Sequence, residues 1–117
     1  PDGLMTFEGS YKAPDNTVVL PITHRSFDND AIMFTDTPGS TLTLRGRKSG
    51  HGVKIDFEGF KYIRVWSAAN DAPFVALEPW TGHTTMDTED DVFEHKVNTI
   101  TLAPGATDIR SFSVTLL

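Results

Sequence analysis

The sequence contains no cysteine, and this absence removes several kinds of chemistry at once. Disulfides, thiolate zinc sites and cysteine nucleophiles all require the thiol group. A chain without cysteine is compatible with a reducing compartment, and we expect a cytoplasmic protein.

Basic side chains are scarce relative to acidic ones. Ten Lys and Arg residues stand against sixteen Asp and Glu residues, which gives a net charge of −6. A surface of this sign repels phosphate backbones and anionic membranes. We therefore expect neither a nucleic-acid partner nor a membrane partner.

The sequence has no apolar run long enough to span a bilayer, and it shows no signal-peptide pattern. We therefore expect a soluble protein.

Short alternating segments separated by turn residues make up most of the 117-residue chain, whose length suits one domain. Residues 40–45 and 53–58 alternate apolar and polar side chains and predict a hairpin around the glycine-rich, basic segment 46–52. Further strands are predicted at 4–7, 17–20, 31–34, 98–102 and 110–116. Residues 23–30 are interpreted as a loop or a single helical turn, and residues 83–96 as a surface loop with room for one helical turn at 90–95. Eight or nine short strands without a convincing helix predict an all-β, antiparallel β-sandwich.

Two of the predicted strands, 31–34 and 110–116, carry specific expectations about burial. Residues 31–34 are apolar and predict a buried strand. The last strand alternates Phe112, Val114 and Leu116 with Ser113 and Thr115, which predicts that the three apolar side chains face inward.

Residues 60–67 are apolar on both faces and predict a strand that is covered on both sides. A turn at 70–73 leads into a second apolar strand, 74–78, so the two form a central hairpin. We expect Trp66 to fill the core and to lie at the opposite end of this hairpin from Glu78.

Glu78 shares one face of its strand with Phe74 and Ala76, since side chains alternate along a strand. Pro79 cannot donate a ladder hydrogen bond, so the strand is predicted to stop there, with Trp80 in the turn at the rim of the sheet. A carboxylate beside an indole is typical of sugar sites, because sugar hydroxyls need acceptors and the apolar sugar face needs an aromatic surface. The alternative is an ordinary solvated glutamate at a strand end.

The segment FKYIRVWSAANDAPFVALEPWTG, residues 60–82, resembles the aldose 1-epimerase (galactose mutarotase-like) family in its pattern WS, APF and EPW followed by a glycine. Weaker similarity extends over 20–44 and from 102 to the last strand. The resemblance implies a large antiparallel β-sandwich with an open sugar cleft. It also implies that residues 1–117 form the C-terminal part of a single domain, and that another segment or a second chain supplies the rest.

The resemblance further implies interconversion of the α and β anomers of an aldose, with Glu78 as catalytic base and no cofactor or metal. The family's acid is a histidine from an upstream segment, and no counterpart of that motif is present here. His24, His51, His83 and His95 all lie in predicted loops, where a solvated role is expected; His83, five residues after Glu78, is the nearest to it in sequence.

Two more residues are candidates for binding the monosaccharide. Asp30 precedes an apolar stretch, as a sugar-binding aspartate does in related family members, although with Asp28 it could simply shape a turn. Trp80 is expected to lie near the sugar. A non-catalytic carbohydrate-binding sandwich remains the alternative function, and a purely structural half of a larger assembly is a third.

Two other charged segments invite weaker hypotheses. The acidic run at 87–91 suggests calcium, but an EF-hand loop starting at Asp87 would need glycine where Val92 stands. A solvated acidic loop is the simpler interpretation. The basic segment 46–52 could hold a phosphate, or it could be solvated.

Overall fold

A computed structural model describes residues 19–117, so the predicted strand at 4–7 and half of that at 17–20 lie outside the described residues. Six strands and two short 3₁₀ helices occur in order within this range, which confirms the all-β fold class. The strands are β1 (Ile32–Thr35), β2 (Thr41–Arg45), β3 (Gly52–Asp56), β4 (Tyr62–Trp66), β5 (Ala76–Trp80) and β6 (Ser113–Leu116), and the 3₁₀ helices are His24–Phe27 and Phe93–His95.

The strands form two antiparallel sheets of three strands each. The first sheet has the order β1-β4-β5 and the second has the order β2-β3-β6. The predicted hairpin is confirmed as β2 and β3, in which Leu42 lies opposite Ile55 and Leu44 lies opposite Val53. The two 3₁₀ helices lie within the segments for which helical turns were predicted.

One hydrophobic core joins the two sheets. Ile55, Phe57 and Ile63 are buried, and half-buried apolar residues from both sheets pack against them; these are Phe34, Leu42, Phe60 and Leu77. The two sheets therefore pack face to face across shared apolar side chains, as in a β-sandwich. Within residues 19–117, no helix is long and apolar enough to cross a bilayer.

The strand predicted at 98–102 is absent. Asn98 has a φ of 62°, a left-handed conformation that interrupts an extended chain. Its side-chain amide donates to the Tyr62 hydroxyl at 2.6 Å and accepts from Lys61 at 2.9 Å. The segment is therefore tied to β4 through side chains, without a backbone ladder.

The last strand forms, but its apolar face is not buried. Val114 lies opposite Ile55 and Leu116 opposite Val53, yet Val114 is 55% exposed and Leu116 is 83% exposed. Among residues 19–117, β6 is an outer strand of its sheet, and the core that these residues form does not extend over it. The prediction that Phe112, Val114 and Leu116 face a covered interior is therefore wrong within the described residues.

Two more burial expectations need correction. β1 lies in the first sheet as predicted, but Ile32, Met33 and Phe34 are only half-buried because β1 is an outer strand. Trp66 is half-buried outside the core, where its ring packs against Phe74 with the centroids 5.6 Å apart.

Candidate active site on the outer face of the first sheet

β4 and β5 place alternate side chains on the face of the first sheet that lies away from the core. Ile63 belongs to the core, so Arg64, one residue later, points to the opposite face. Arg64 lies directly opposite Glu78 in the register of β4 and β5. We call this surface, defined by Arg64, Glu78 and Trp80, the outer face.

Glu78 lies in the middle of β5, and the predicted rim position is wrong. The strand continues through Pro79 to Trp80. β5 is an outer strand of the described sheet, and an outer strand tolerates proline because one side of its backbone has no ladder to complete. Trp80 is consequently a strand residue opposite Tyr62 and not a turn residue.

Trp66 and Glu78 are neighbours, contrary to the prediction that they lie at opposite ends of the hairpin. Trp66 pairs with Ala76, two residues before Glu78 on the same face of the sheet. The hairpin register thus places both indoles on the outer face, one on each side of the Arg64–Glu78 pair.

Glu78 is a half-buried residue, and its carboxylate forms no hydrogen bond or ion pair with another residue of 19–117. Although Arg64 lies opposite it in the ladder, the guanidinium group bonds elsewhere: one terminal nitrogen of Arg64 is 3.2 Å from Asp30 Oδ1. Glu78 therefore keeps its oxygen atoms available to accept a proton or a hydroxyl hydrogen bond.

Asp30 lies beside β1 and is brought to the outer face by Arg64. Its Oδ1 also accepts a hydrogen bond from the backbone N–H of Ala31 at 2.7 Å. Its φ of 77° is left-handed, a conformation that aspartate tolerates better than most residues. Asp30 thus shapes the turn before β1, as the simpler interpretation expected, and also forms an ion pair that spans two elements.

Arg64 also covers one face of Trp80. Its guanidinium carbon lies 4.7 Å from the centroid of the Trp80 ring, within the range of a cation–π contact. The contacts of Arg64 bring together all three candidate residues: Asp30 by an ion pair, Trp80 by stacking and Glu78 by strand register. Arg64 was not among the predicted site residues, although a single arginine inside the otherwise apolar segment 62–66 is the signal that marks it.

An open depression lies beside the end of β5. It has a volume of about 380 Å³ and is lined by Phe60, Pro79, Trp80, Thr81, Gly82 and His83. This volume lies in the lower part of the range found for small-molecule sites. Trp80 belongs both to this depression and to the cluster around Arg64.

His83 is buried, so the expected solvated role is wrong for this histidine. Only 6% of it is exposed, and its ring packs edge-on against Tyr62 with the centroids 5.7 Å apart. Nδ1 lies 2.7 Å from the Thr84 carbonyl oxygen, which makes Nδ1 the donor and leaves Nε2 as an acceptor in the neutral ring. The other three histidines are exposed, as expected.

Carboxylates of the acidic run are engaged by neighbouring side chains. His95 Nδ1 lies 2.7 Å from Asp90 Oδ2, and Lys96 Nζ lies 3.1 Å from a Glu89 carboxylate oxygen. The hydrogen bond from His95, followed by one from the Val92 backbone, lowers the pKa of Asp90 below its ordinary value of 3.8. Within residues 19–117, no three His, Asp or Glu side chains are grouped so that they could hold a metal ion.

The fold and this face define an all-β, two-sheet protein with two carboxylates, an arginine and an indole on the outer side of one sheet. Comparison with curated proteins adds two relatives, the chromosomal and plasmid forms of protein LacX from Lactococcus lactis subsp. lactis. Each is 34% identical to this chain over 115 residues. The match covers 98% of this chain but only 38% of each relative, so the chain spans well under half of their length. No family model and no solved structure matches the chain.

Proposed function

We propose that this chain is the C-terminal part of an aldose 1-epimerase, a mutarotase that interconverts the α and β anomers of an aldose. The observation that carries the proposal is that Glu78 is half-buried and its carboxylate has no partner among residues 19–117. It shares a face with a second carboxylate and with Trp80, groups that suit a monosaccharide. The similarity to LacX along 98% of the chain and the pattern of residues 66–82 support the same assignment.

In the proposed reaction, Glu78 removes the proton from the anomeric hydroxyl while an acid protonates the ring oxygen. The ring opens, the C1–C2 bond rotates, and closure from the other face gives the other anomer. Asp30 accepts a hydrogen bond from a sugar hydroxyl, and Trp80 offers an apolar surface to the ring. The acid is a histidine supplied by the part of the domain outside this chain, and the reaction uses neither a cofactor nor a metal.

The proposal includes the organisation of the protein. Residues 1–117 form the C-terminal part of one sandwich domain in the cytoplasm, completed by a further segment or by a second chain. The exposed apolar residues of β6 and the 38% coverage of the LacX proteins support this view. We call this chain together with that remaining part the whole protein.

Polarimetry of freshly dissolved α-glucose and α-galactose tests the function. The whole protein should accelerate the change in optical rotation, and Glu78→Gln should slow it by about 10²–10⁴-fold, the usual contribution of a placed acid or base. Glu58→Gln is the matched control, because Glu58 is an exposed glutamate just after β3. Full activity of Glu78→Gln would show that the base lies elsewhere.

The second candidate is a non-catalytic carbohydrate-binding protein. It is favoured by the chain's set of binding groups, which includes carboxylates and an indole but no counterpart of the family's acid motif. Calorimetric titration of the whole protein with the same sugars distinguishes the two. Sugar binding without any acceleration of mutarotation would establish the binding protein and reject the enzyme.

A further inference from the structure

Arg64 contacts both of the predicted sugar-binding residues, Asp30 and Trp80. It is charged, yet its side chain is only 18% exposed. It lies in β4, the central strand of the first sheet, between Met33 of β1 and Glu78 of β5 in the registers of the two ladders. Its guanidinium group contacts two other parts of the chain, the turn before β1 and the strand β5.

The contact with Asp30 fixes a carboxylate that would otherwise be held only locally. Within residues 19–117, the other hydrogen bond to the Asp30 carboxylate comes from the next residue in the chain, Ala31. Asp30 also has a left-handed backbone, which persists when surrounding contacts hold it. The ion pair with Arg64 links this turn to a residue 34 positions away and sets where the carboxylate lies on the outer face.

The contact with Trp80 determines which side of the indole a sugar can use. With the guanidinium group 4.7 Å from the ring centroid, one face of the ring is covered. A planar guanidinium group can stack on a ring while its edge bonds to a carboxylate, whereas the ammonium group of lysine cannot do both. The arrangement therefore depends on arginine specifically and not on a positive charge alone.

We propose that Arg64 is a positioning residue of the sugar site, which holds the Asp30 carboxylate and the Trp80 ring in a fixed arrangement beside Glu78. This inference rests on the proposed function for its sugar-binding part. It assigns to Arg64 no proton transfer and no direct contact with the reacting atoms. Loss of Arg64 should consequently impair sugar binding more than the chemical step.

Kinetics of the whole protein test the catalytic consequence. Arg64→Met keeps most of the side-chain length but removes both polar contacts, and it should raise KM about tenfold, equivalent to about 1.4 kcal/mol, with a much smaller change in kcat. Arg64→Lys should restore only part of the loss. Arg45→Met is the control, since Arg45 lies on β2 of the other sheet and bonds only to the Gly50 carbonyl oxygen within the described residues. A fall in kcat with an unchanged KM would overturn the positioning role.

A double-mutant cycle tests whether Arg64 acts through Asp30. If it does, Arg64→Met combined with Asp30→Asn should raise KM by clearly less than the product of the two single effects. Independent, multiplicative effects would overturn the coupling. A merely structural arginine would lower the thermal midpoint without this non-additivity.

A fluorescence measurement tests the arrangement without any sugar, so its failure is distinguishable from failure of the proposed function. In a Trp66→Phe background, Trp80 is the single indole of this chain, and any tryptophan in the remaining part is likewise replaced by Phe. Arg64→Met and Asp30→Asn should both increase quenching of Trp80 by acrylamide, because each releases the stacked guanidinium group. Unchanged quenching in both variants would overturn the proposal, even if the protein proves to be a mutarotase. Increased quenching would support the positioning of Trp80 by Arg64 and Asp30, whatever the outcome of the sugar assays.

Discussion

Arg64 and Glu78 lie directly opposite each other across β4 and β5, yet the guanidinium group forms its ion pair with Asp30. Strand neighbours of opposite charge usually stabilise each other when they meet. Here the arginine bonds to one carboxylate and leaves the other unbonded by residues 19–117. The proposed function gives the two acidic residues different roles, Asp30 as an anchored hydrogen-bond acceptor and Glu78 as an available base.

Replacement of Trp80 by alanine should weaken sugar binding before it slows the reaction. In the proposed site the indole contacts the sugar in both the ground state and the transition state, so its loss should mainly raise KM. It should also lower the free energy of unfolding by about 0.5–2 kcal/mol through the lost contact with Arg64.

Trp66→Ala is the matched control for this prediction, because Trp66 lies on the same face but packs against Phe74. It should lower stability without raising KM. Polarimetric kinetics and urea unfolding measure the two effects. An equal rise in KM for both variants would remove Trp80 from the sugar site.

The β2–β3 hairpin could be predicted because alternation fixes which face each residue takes. Leu42 and Leu44 alternate with threonines, and a shift of one residue would turn both away from the core. The same rule placed Glu78 on one face of its strand with Ala76, as the observed β5 has it. The prediction that the strand ends at Pro79 was wrong. Proline does not have to end a strand where one side of the backbone carries no ladder.

The partnership of Arg64 and Asp30 could not be predicted from the sequence. Alternation indicates the face on which Arg64 lies, but not which turn meets it 34 residues away. The left-handed backbone of Asp30 is equally invisible in a sequence, since aspartate also adopts ordinary conformations. Val114 and Leu116 show the same limitation for burial, because alternation cannot say whether anything covers the apolar face.

Gly52 should be essential for the hairpin between β2 and β3. A Cβ atom at this position would overlap the backbone carbonyl oxygen of Leu44, which cannot move without breaking the ladder. We expect Gly52→Ala to lower the free energy of unfolding by about 1–3 kcal/mol, the usual cost of overpacking.

Gly39→Ala is the control, since a Cβ atom there meets nothing within 4 Å. It should be neutral or stabilise by up to about 1 kcal/mol, because alanine restricts the unfolded chain. Urea unfolding of the whole protein measures both. Equal stability of the two alanine variants would contradict the predicted overlap.

The Asp90–His95 contact predicts a loss of stability in acid. The hydrogen bond from His95 lowers the pKa of Asp90 below 3.8, so near that pH the unfolded chain binds more protons than the folded one. The contribution is complete above pH 3.8 and disappears as the pH falls through the lower folded-state pKa. Because Asp90 is exposed, the effect should be small. The thermal midpoints of the protein and of Asp90→Asn should therefore differ above pH 3.8 and converge in stronger acid; a constant difference would contradict the linkage.

The apolar face of β6 predicts that the 117-residue chain alone associates or folds poorly. Phe112 and Val114 are each 55% exposed and Leu116 is 83% exposed, along an outer strand whose backbone can pair with another strand. Light scattering with size-exclusion chromatography should show species larger than a monomer, and heating should give a broad transition.

Leu116→Lys should reduce association more than Thr115→Lys. Both add a charge to the same outer strand, but only Leu116 shares a face with Val114. Equal reduction by both variants would indicate pairing through the strand edge. A monomer with a sharp, cooperative transition would count against the proposal that this chain is part of a larger domain.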